Sequence, residues 1–580
     1  MKKPPKTSKR LQRITAYAVP KHPADGHTLD LFLDGNEGLR PPAALLQSLH
    51  ADLSEKLRRY PKQDDLAEAL AIQLSSEGAR VAPENILITA GADEGIERVC
   101  KAYLSENCSI LLPVPTFEMI GRYVALTGAS ITEIPWESTT YPVERVVKKI
   151  SKRVAAIAVV SPNNPTGCVI PAAGLKRLSQ KAPRAIIMLD AAYGEFAAED
   201  LTATVLGLPN VVMLRTFSKA YGMAGIRVGY MVARKEIISE LKKAGGPYAV
   251  SKLSMMLAKA ALETCKSRMH EFVSQVKIER GSLNLCLQEF GLKPYPSEGN
   301  FVFCHFKNAL WLRDQLAGFG ISVRAFPKDR LLKKALRITC PGHVGEFTRL
   351  QNALRIALAP QAMLFDLDGV IADVSQSYRQ AILQTAQFFG APAKAQDIAE
   401  EKAKGDANND WEVTMRIIKK YGVDKSFNDI KNKFEALYQG DQSRRGLKEK
   451  EKLLVKKSFF AALAKRLPLG IVTGRPAKDA DYFLKEHGIR EFFKTVVCME
   501  DAALKPAPDA ILLAMKKMNI QRAWYLGDTP DDMVAARGAG ALPIGVLNSY
   551  DPSKNLETVL YQNGAGRVLK NLSQLEGLIP

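Results

Sequence analysis

At 580 residues the chain is longer than one hydrophobic core serves, which implies about two to four domains. Its 46% hydrophobic and 24% charged residues are those of an ordinary globular protein, and its longest apolar stretches are too short to span a bilayer. The formal charge of +20 is spread along the chain without a helix-turn-helix, finger or RNA-binding signature, so it points to anionic, phosphorylated metabolites rather than nucleic acid.

The N-terminal segment carries Lys2, Lys3, Lys6, Lys9 and Arg10 with no apolar run behind them, which reads as a disordered basic tail and not a secretory leader. Short apolar runs follow at Ile86–Thr89, Ile110–Pro115, Ala155–Ser161, Ala185–Asp190 and Val211–Arg215, separated by amphipathic segments. Strands apolar on both faces and alternating with helices make parallel sheets of the α/β class. An amphipathic stretch, Val344–Leu358, ends just before Pro360, and a second set of runs begins with Ala362–Asp366, Leu469–Thr473, Thr495–Met499 and Ala523–Asp528. The boundary is therefore read near Ala359, giving domains of residues 1–358 and 362–580 joined by a linker of a few residues. Between Asp373 and about Phe460 lies a polar, mostly helical insert with amphipathic pieces at Ser377–Phe389 and Trp411–Tyr421. Within it the Lys-rich stretch Leu447–Lys457, which also holds Glu449 and Glu451, reads as a solvated helix face. The eight cysteines are scattered with no CxxC pair, which argues against a disulfide framework or structural zinc and fits a reducing cytoplasm.

The first chemistry centres on Arg215-Thr216-Phe217-Ser218-Lys219-Ala220-Tyr221-Gly222, followed by Arg227. A lysine behind a buried strand, in a Ser/Thr-rich turn, is placed to form an imine with an aldehyde cofactor. Its neighbours supply hydroxyls and a guanidinium to a phosphate. Upstream, Asp190 closes a strand and can keep a pyridine nitrogen protonated, which makes the ring an electron sink. Tyr193 lies three residues on, Ser161–Gly167 offers an Asn in a tight turn, and Gly91-Ala92-Asp93 opens a helix whose free amides can cradle phosphate.

Together these residues resemble the fold-type-I aminotransferases, and specifically the histidinol-phosphate aminotransferase family. The resemblance spans nearly the whole first domain, from Leu33-Asp34-Gly35-Asn36-Glu37 and Arg59-Tyr60-Pro61 to Leu336-Arg337-Ile338-Thr339. It implies a mainly parallel large domain with a small α/β domain, pyridoxal 5'-phosphate as cofactor, and a homodimer. By that resemblance Lys219 holds the cofactor as a Schiff base and shuttles the proton between Cα and C4′. Asp190 pairs with the pyridine nitrogen, and Asn164 and Tyr193 bond O3′. Ala92, Asp93, Thr216, Ser218 and Arg227 surround the phosphate, with Tyr60 reaching it from the partner subunit, and Phe117 stacks on the ring. Arg337 takes the carboxylate of the amino donor, glutamate by default, while Tyr17 and Arg324 contact substrate, Arg324 near its phosphate. Family members commonly have Asp-Glu-Ala-Tyr where this chain has Asp190-Ala191-Ala192-Tyr193, a Tyr at Phe117, and an Asn-Pro where Gly38–Pro42 stands. These departures leave the transamination machinery intact and loosen the substrate assignment.

The second chemistry follows the strand before Phe365-Asp366-Leu367-Asp368-Gly369-Val370. Two carboxylates two residues apart at a strand end can divide labour, one attacking phosphorus and the other protonating the leaving oxygen. Thr473, Lys505-Pro506 and Gly527-Asp528-Thr529-Pro530-Asp531-Asp532 follow at strand ends and loops. This set resembles the haloacid dehalogenase superfamily over about 215 residues, and implies a Rossmann-like domain with an α-helical cap at about 373–460 and a Mg²⁺ ion. By the resemblance Asp366 is the nucleophile, Asp368 the general acid/base, and Thr473 and Lys505 bind the phosphoryl group. Asp366, the backbone carbonyl of Asp368 and Asp528 bind the metal, with Asp532 as a ligand or as an acid one layer behind it. Lys402, Lys404, Gly405 and Asn408–Trp411 are candidate specificity residues of the cap.

An aminotransferase joined to a phosphatase is most simply read as two consecutive steps, imidazole-acetol phosphate to histidinol phosphate and then removal of the phosphate. Against this, the familiar histidinol phosphatases of this superfamily lack a cap and carry a Cys/His zinc loop absent here. The alternative is an aromatic or other amino-acid aminotransferase fused to a phosphatase of another small ester, such as phosphoglycolate. The expected partners are glutamate and small phosphorylated metabolites, with neither nucleic acid nor membrane.

Overall fold

A computed structural model of the chain describes residues 7–8, 10–14, 16, 28–47, 53–405, 407–547 and 555–579. Most of the basic N-terminal segment, and Tyr17, lie outside them. No helix among the described residues is long and apolar enough to cross a membrane.

The chain forms two compact units. The first contains Leu33–Lys307 and Arg324–Thr348, and the second Asn308–Val323 and Arg349–Pro580. The first is built on a seven-stranded sheet ordered Ile86–Thr89, Gly229–Ala233, Val211–Thr216, Ile186–Asp190, Val154–Val160, Ser109–Val114 and Ser130–Pro135. Gly229–Ala233 runs antiparallel to both neighbours, and the remaining pairs are parallel. Alternation explains why these strands are apolar throughout. Ile157, Val159, Ile187, Leu189, Val211 and Met213 enter one core, while Ala156, Ala158, Ile186, Met188, Val212 and Leu214 enter the core on the opposite face. The polar residues that end the strands, Asp190 and Thr216, are thereby delivered to one edge. In the same unit Phe301–His305 pairs antiparallel with Ala335–Thr339, and Arg324 stands opposite Arg337.

The second unit holds a six-stranded, wholly parallel sheet ordered Phe493–Val497, Leu469–Val472, Ala362–Phe365, Ala523–Gly527, Leu542–Val546 and Arg567–Leu569. Met363, Phe365, Trp524 and Leu526 face one core, and Leu364, Ala523 and Tyr525 the other. The chain leaves this sheet at Ala372–Asp373 and passes through helices Tyr378–Phe388, Ala395–Ala403, Asp410–Lys420 and Phe427–Gln439. It returns at Lys452–Leu453, antiparallel to the outgoing strand. This is the helical cap.

Two features differ from the sequence reading. Leu447–Lys457 is not a solvated helix: Leu447–Lys450 forms a single 3-10 turn, Lys452–Leu453 is the return strand, and Leu447 and Glu451 are buried. Residues 308–323 and 349–358 group with the second unit although they precede Pro360. The reason is aromatic packing that crosses the linker in sequence. Trp311 lies 5.5 Å from fully buried Trp524, and the Trp524 indole N–H donates to the carbonyl of Ile356 at 2.9 Å. Trp311→Ala is expected to destabilise the second unit by about 3 kcal/mol. A urea titration followed by tryptophan fluorescence, with the wild type as reference, checks this.

Candidate active sites

In the first unit the turn after strand Val211–Thr216 is fixed by its own backbone. Phe217 N donates to Val228 O at 3.0 Å, and Met223 N to Phe217 O at 3.0 Å. The turn presents Lys219, whose Nζ donates to Gly35 O at 2.9 Å and lies 5.8 Å from the Tyr193 ring centroid. Thr216 Oγ1 and Ser218 Oγ, both buried, are 2.9 Å apart. Arg227, held at φ 53°, reaches Asp93 Oδ2 at 3.1 Å. That contact places its guanidinium at the N-terminus of helix Gly91–Tyr103. Gly91 adopts φ 76°, which favours glycine, and a Cβ there would come within 2.6 Å of the mobile tip of Arg227. Ala92 and half-buried Phe117 pack against the same core cluster.

Asp190 is buried and accepts a hydrogen bond from Ala192 N at 3.1 Å. Burial pushes its carboxyl up to about 7, with the Asp93 charge adding to this and Ala192 N and Lys219 opposing. The Tyr193 hydroxyl accepts from Asn36 Nδ2 at 2.9 Å. Asn164 Oδ1 accepts from Arg337 Nη1 at 2.7 Å, and Arg337 also donates to Asp34 O. Asn163, by contrast, is fully buried and ties the turn to Pro115 O and Thr166, a purely structural role.

Lys219, Asp190, Tyr193, Asn164, Arg337, Thr216, Ser218, Arg227, Asp93 and Ala92 thus gather around one strand edge. Arg324 stands beside Arg337, with its guanidinium 5.5 Å from the Phe326 ring. Tyr60 faces solvent in the single chain, 79% exposed, and its ring stacks on Tyr248 at 4.6 Å.

Two contributors had no assigned role in the sequence. Asn36, at φ 54° and fully buried, joins Tyr193 to Thr339 Oγ1 at 2.8 Å and accepts from Asn300 Nδ2 at 3.2 Å. Gly38 lets the chain pass against the lysine turn, since its Cβ would lie 2.1 Å from Lys219 O. The missing Asn-Pro after Glu37 is where this close approach occurs.

In the second unit Asp366 and Asp528 are buried at the ends of adjacent parallel strands and Asp532 in the first turn of the helix Pro530–Gly538, with oxygens all within 4.8 Å of one another. Gly369, at φ 77°, makes the room: a Cβ there would sit 2.0 Å from Asp528 Oδ2. Lys505 Nζ donates to Asp366 Oδ1 at 2.8 Å, to Asp532 Oδ1 at 2.5 Å and to Tyr525 OH at 3.0 Å. Burial, with the neighbouring carboxylates, pushes the Asp366 carboxyl well up despite Lys505. For Asp532 burial also pushes upward, but Lys505 and Thr529 outweigh it and hold that carboxyl below the usual range. Asp532 Oδ2 is taken by Thr529 N at 3.0 Å and Thr529 Oγ1 at 2.6 Å.

Thr473 ends its strand buried, its backbone N bonded to Val497 O at 3.0 Å. The carboxylate of Asp368 stands apart from the three clustered acids and accepts from Arg475 Nε at 2.6 Å. From the cap, Arg379, Lys402, Asn408 and Asp410 line the cleft over Asp366, Asp368 and Asp528. Lys402 is paired with Asp410 at 3.1 Å, and Asn408 donates to Lys505 O at 2.9 Å. Lys404 is exposed and pairs with Glu401, and the Trp411 indole N–H is spent on Glu435 within the cap.

Residues 31–353 match the family model of class I and II aminotransferases, and residues 363–546 match that of haloacid dehalogenase-like hydrolases. A histidinol-phosphate aminotransferase of Caldanaerobacter subterraneus subsp. tengcongensis is 36% identical over 319 residues, covering 54% of this chain and 87% of that protein. An imidazoleglycerol-phosphate dehydratase of Phytophthora nicotianae is 42% identical over 241 residues; this alignment covers 38% of the chain and about half, 52%, of that protein. The histidinol-phosphate aminotransferase of Sinorhizobium meliloti, solved in complex with pyridoxal-5'-phosphate, shares the fold at TM-score 0.53 and 23% identity, over 60% of this chain and 96% of that one. The chain therefore belongs to the class I and II aminotransferases, and carries behind that segment a haloacid dehalogenase-like hydrolase domain with a helical cap.

Proposed function

We propose that the protein is a bifunctional enzyme. Its first half moves an amino group from glutamate to imidazole-acetol phosphate, giving histidinol phosphate, and its second half hydrolyses a small phosphomonoester, histidinol phosphate itself on this reading. The observation that carries the first half is the convergence of Lys219, Asp190, Tyr193, Thr216, Ser218 and Arg227 on one strand edge.

These residues fit pyridoxal 5'-phosphate. Asp190 is a buried carboxyl that burial holds near neutrality, and a protonated ring nitrogen beside it would restore its charged form. Glycine at 91 leaves a cradle under the Arg227 guanidinium, flanked by two buried hydroxyls and a helix N-terminus. Bound there, the cofactor supplies an electron sink that acidifies the substrate Cα–H. Lys219 Nζ takes that proton, while Asp190 holds a proton on the ring nitrogen. Tyr193 accepts from Asn36, so its own proton is the one it has to give to the ring oxygen. Arg337, aligned by Asn164, binds the amino donor's carboxylate. Exposed, stacked Tyr60 supports a site completed by a second copy of the chain in a homodimer.

The second centre fits Mg²⁺ by its donor set. Three buried carboxylates with oxygens alone, against the single ammonium of Lys505, leave an excess of negative charge that a hard divalent cation neutralises. Asp366 attacks phosphorus, forming an aspartyl–phosphorus bond as the bond to the alcohol oxygen breaks. Asp368 gives its proton to the departing alkoxide, then takes one from the water that releases inorganic phosphate. Thr473 and Lys505 hold the phosphoryl oxygens.

The pathway link is supported by two relatives whose printed names both belong to histidine synthesis. A second reading has its own observation. Arg379 and Lys402 in the cap wall, against one carboxylate from Asp410, favour an alcohol bearing an anionic group, such as phosphoglycolate. The test is one incubation with imidazole-acetol phosphate, glutamate, pyridoxal phosphate and Mg²⁺, following 2-oxoglutarate and phosphate together, with phosphoglycolate hydrolysis measured beside it. Phosphate that appears with a lag behind 2-oxoglutarate is the expected result. If 2-oxoglutarate alone appears, the consecutive-step reading is overturned and phosphoglycolate takes its place.

A further inference from the structure

Arg475 is a fully buried arginine of the second unit, paired with two carboxylates. It follows Thr473 by two residues, at the end of strand Leu469–Val472, and its side chain is 1% exposed. Its Nε donates to Asp368 Oδ1 at 2.6 Å, and its Nη1 to Glu451 Oε2 at 2.8 Å. The guanidinium lies 4.8 Å from the Tyr378 ring centroid and 5.3 Å from that of Phe483. Burying a guanidinium costs several kcal/mol unless geometry and hydrogen bonds offset it, so two carboxylates and two ring faces around one arginine mark a position that is strongly specified.

The location of those carboxylates gives the arrangement its meaning. Asp368 sits at the start of the turn that leads into the cap, where Gly369 N bonds Ala372 O at 3.0 Å. Glu451, whose side chain is 2% exposed, immediately precedes the return strand, which pairs Leu453 with Ala372. It also accepts from Tyr438 OH at 3.2 Å, on the last cap helix. Tyr378 stands on the first cap helix. Arg475 therefore joins the outgoing root of the cap, the returning root and the strand end that carries Thr473. The rigid fork of the guanidinium can fix two carboxylates in register, which a lysine cannot do.

We propose that Arg475 is a positioning residue for proton transfer: it sets Asp368 at the leaving oxygen, and takes its own position from Glu451 at the cap root. This rests on the phosphomonoesterase reading above. It assigns no new chemistry to Arg475, which touches neither the phosphoryl group nor the three clustered acids. Without it Asp366 still attacks, but an alkoxide leaves unprotonated, whereas 4-nitrophenolate needs no proton to depart.

The experiment compares kcat/KM, which covers every step through loss of the alcohol, on two substrates with the full chain and Mg²⁺. One is 4-nitrophenyl phosphate. The other is histidinol phosphate or phosphoglycolate, whichever the wild type hydrolyses faster. In Arg475→Lys, kcat/KM on the alkyl phosphate is expected to fall about 100-fold, within the range of general acid catalysis, while 4-nitrophenyl phosphate loses less than about fivefold. Glu451→Gln, which keeps the arginine and the shape of its site, is expected to shift the same ratio in the same direction and guards against a lysine variant that fails to fold. An equal loss on both substrates would mean a structural role, and wild-type kcat/KM on both would mean none; either overturns the proposal. A wild-type chain inert on every ester overturns the phosphatase reading itself, a result distinct from both.

Discussion

Asp366→Asn is expected to abolish phosphate release, by about 10⁴-fold or more in kcat, while 2-oxoglutarate formation continues at the wild-type rate. An amide of the same shape cannot attack phosphorus, and nothing else in the cluster replaces it. Asp528 is packed against the Gly369 turn, and Asp532 is committed to Lys505, Tyr525 and Thr529. The fold should tolerate the change, because Lys505 keeps Asp532 and Tyr525 as partners. Phosphate release and 2-oxoglutarate formation measured on the same preparation read the two halves separately. Phosphate release that persists in Asp366→Asn would assign the nucleophile elsewhere.

Lys219→Ala is expected to have the complementary effect: transamination falls by about 10⁴-fold or more while ester hydrolysis is untouched. On the proposed mechanism the amine is the one group of the first site that both holds an aldehyde and moves a proton, and its neighbours cannot stand in for it. Thr216 and Ser218 bond one another, Arg227 is paired with Asp93, and Arg337 is engaged by Asn164. The readout independent of activity is the visible absorbance of a lysine-linked cofactor in protein incubated with pyridoxal phosphate. It should be present in the wild type and lost in the variant. Absorbance that survives would place the linkage on another lysine.

Much of both sites was legible because strand ends in parallel sheets are local features. The run Ile186–Asp190 must be apolar on both faces until it emerges at its ligand-facing edge, so the first carboxylate after it stands out in sequence. The same argument exposed Thr216, Asp366, Thr473 and Asp528. Within such a turn, side-chain direction is a different matter. Asn163 and Asn164 are alike as residue types; the resemblance singles out Asn164, and the fold turns Asn163 into the core and Asn164 toward Arg337.

The sequence by itself determined two α/β units, five of the seven strands of the first sheet and four of the six of the second, a helical insert in the second unit, and the residue types of two candidate sites. These follow from periodicity and from motifs a few residues long. Only tertiary structure decided which distant residues complete them. Glu451 reads as one charge in a solvated lysine-rich stretch, yet its side chain is sealed against Arg475, because the return strand of the cap brings it there. The Asp368 carboxylate could have joined the acidic cluster by spacing, but the same arginine holds it apart. Trp311 and Ile356 precede the apparent boundary at Pro360 and still belong to the second core, since a buried indole must find both apolar cover and an acceptor for its N–H, and Trp524 finds them there. Contacts between residues far apart in sequence leave no local pattern, and both candidate sites are completed by such contacts.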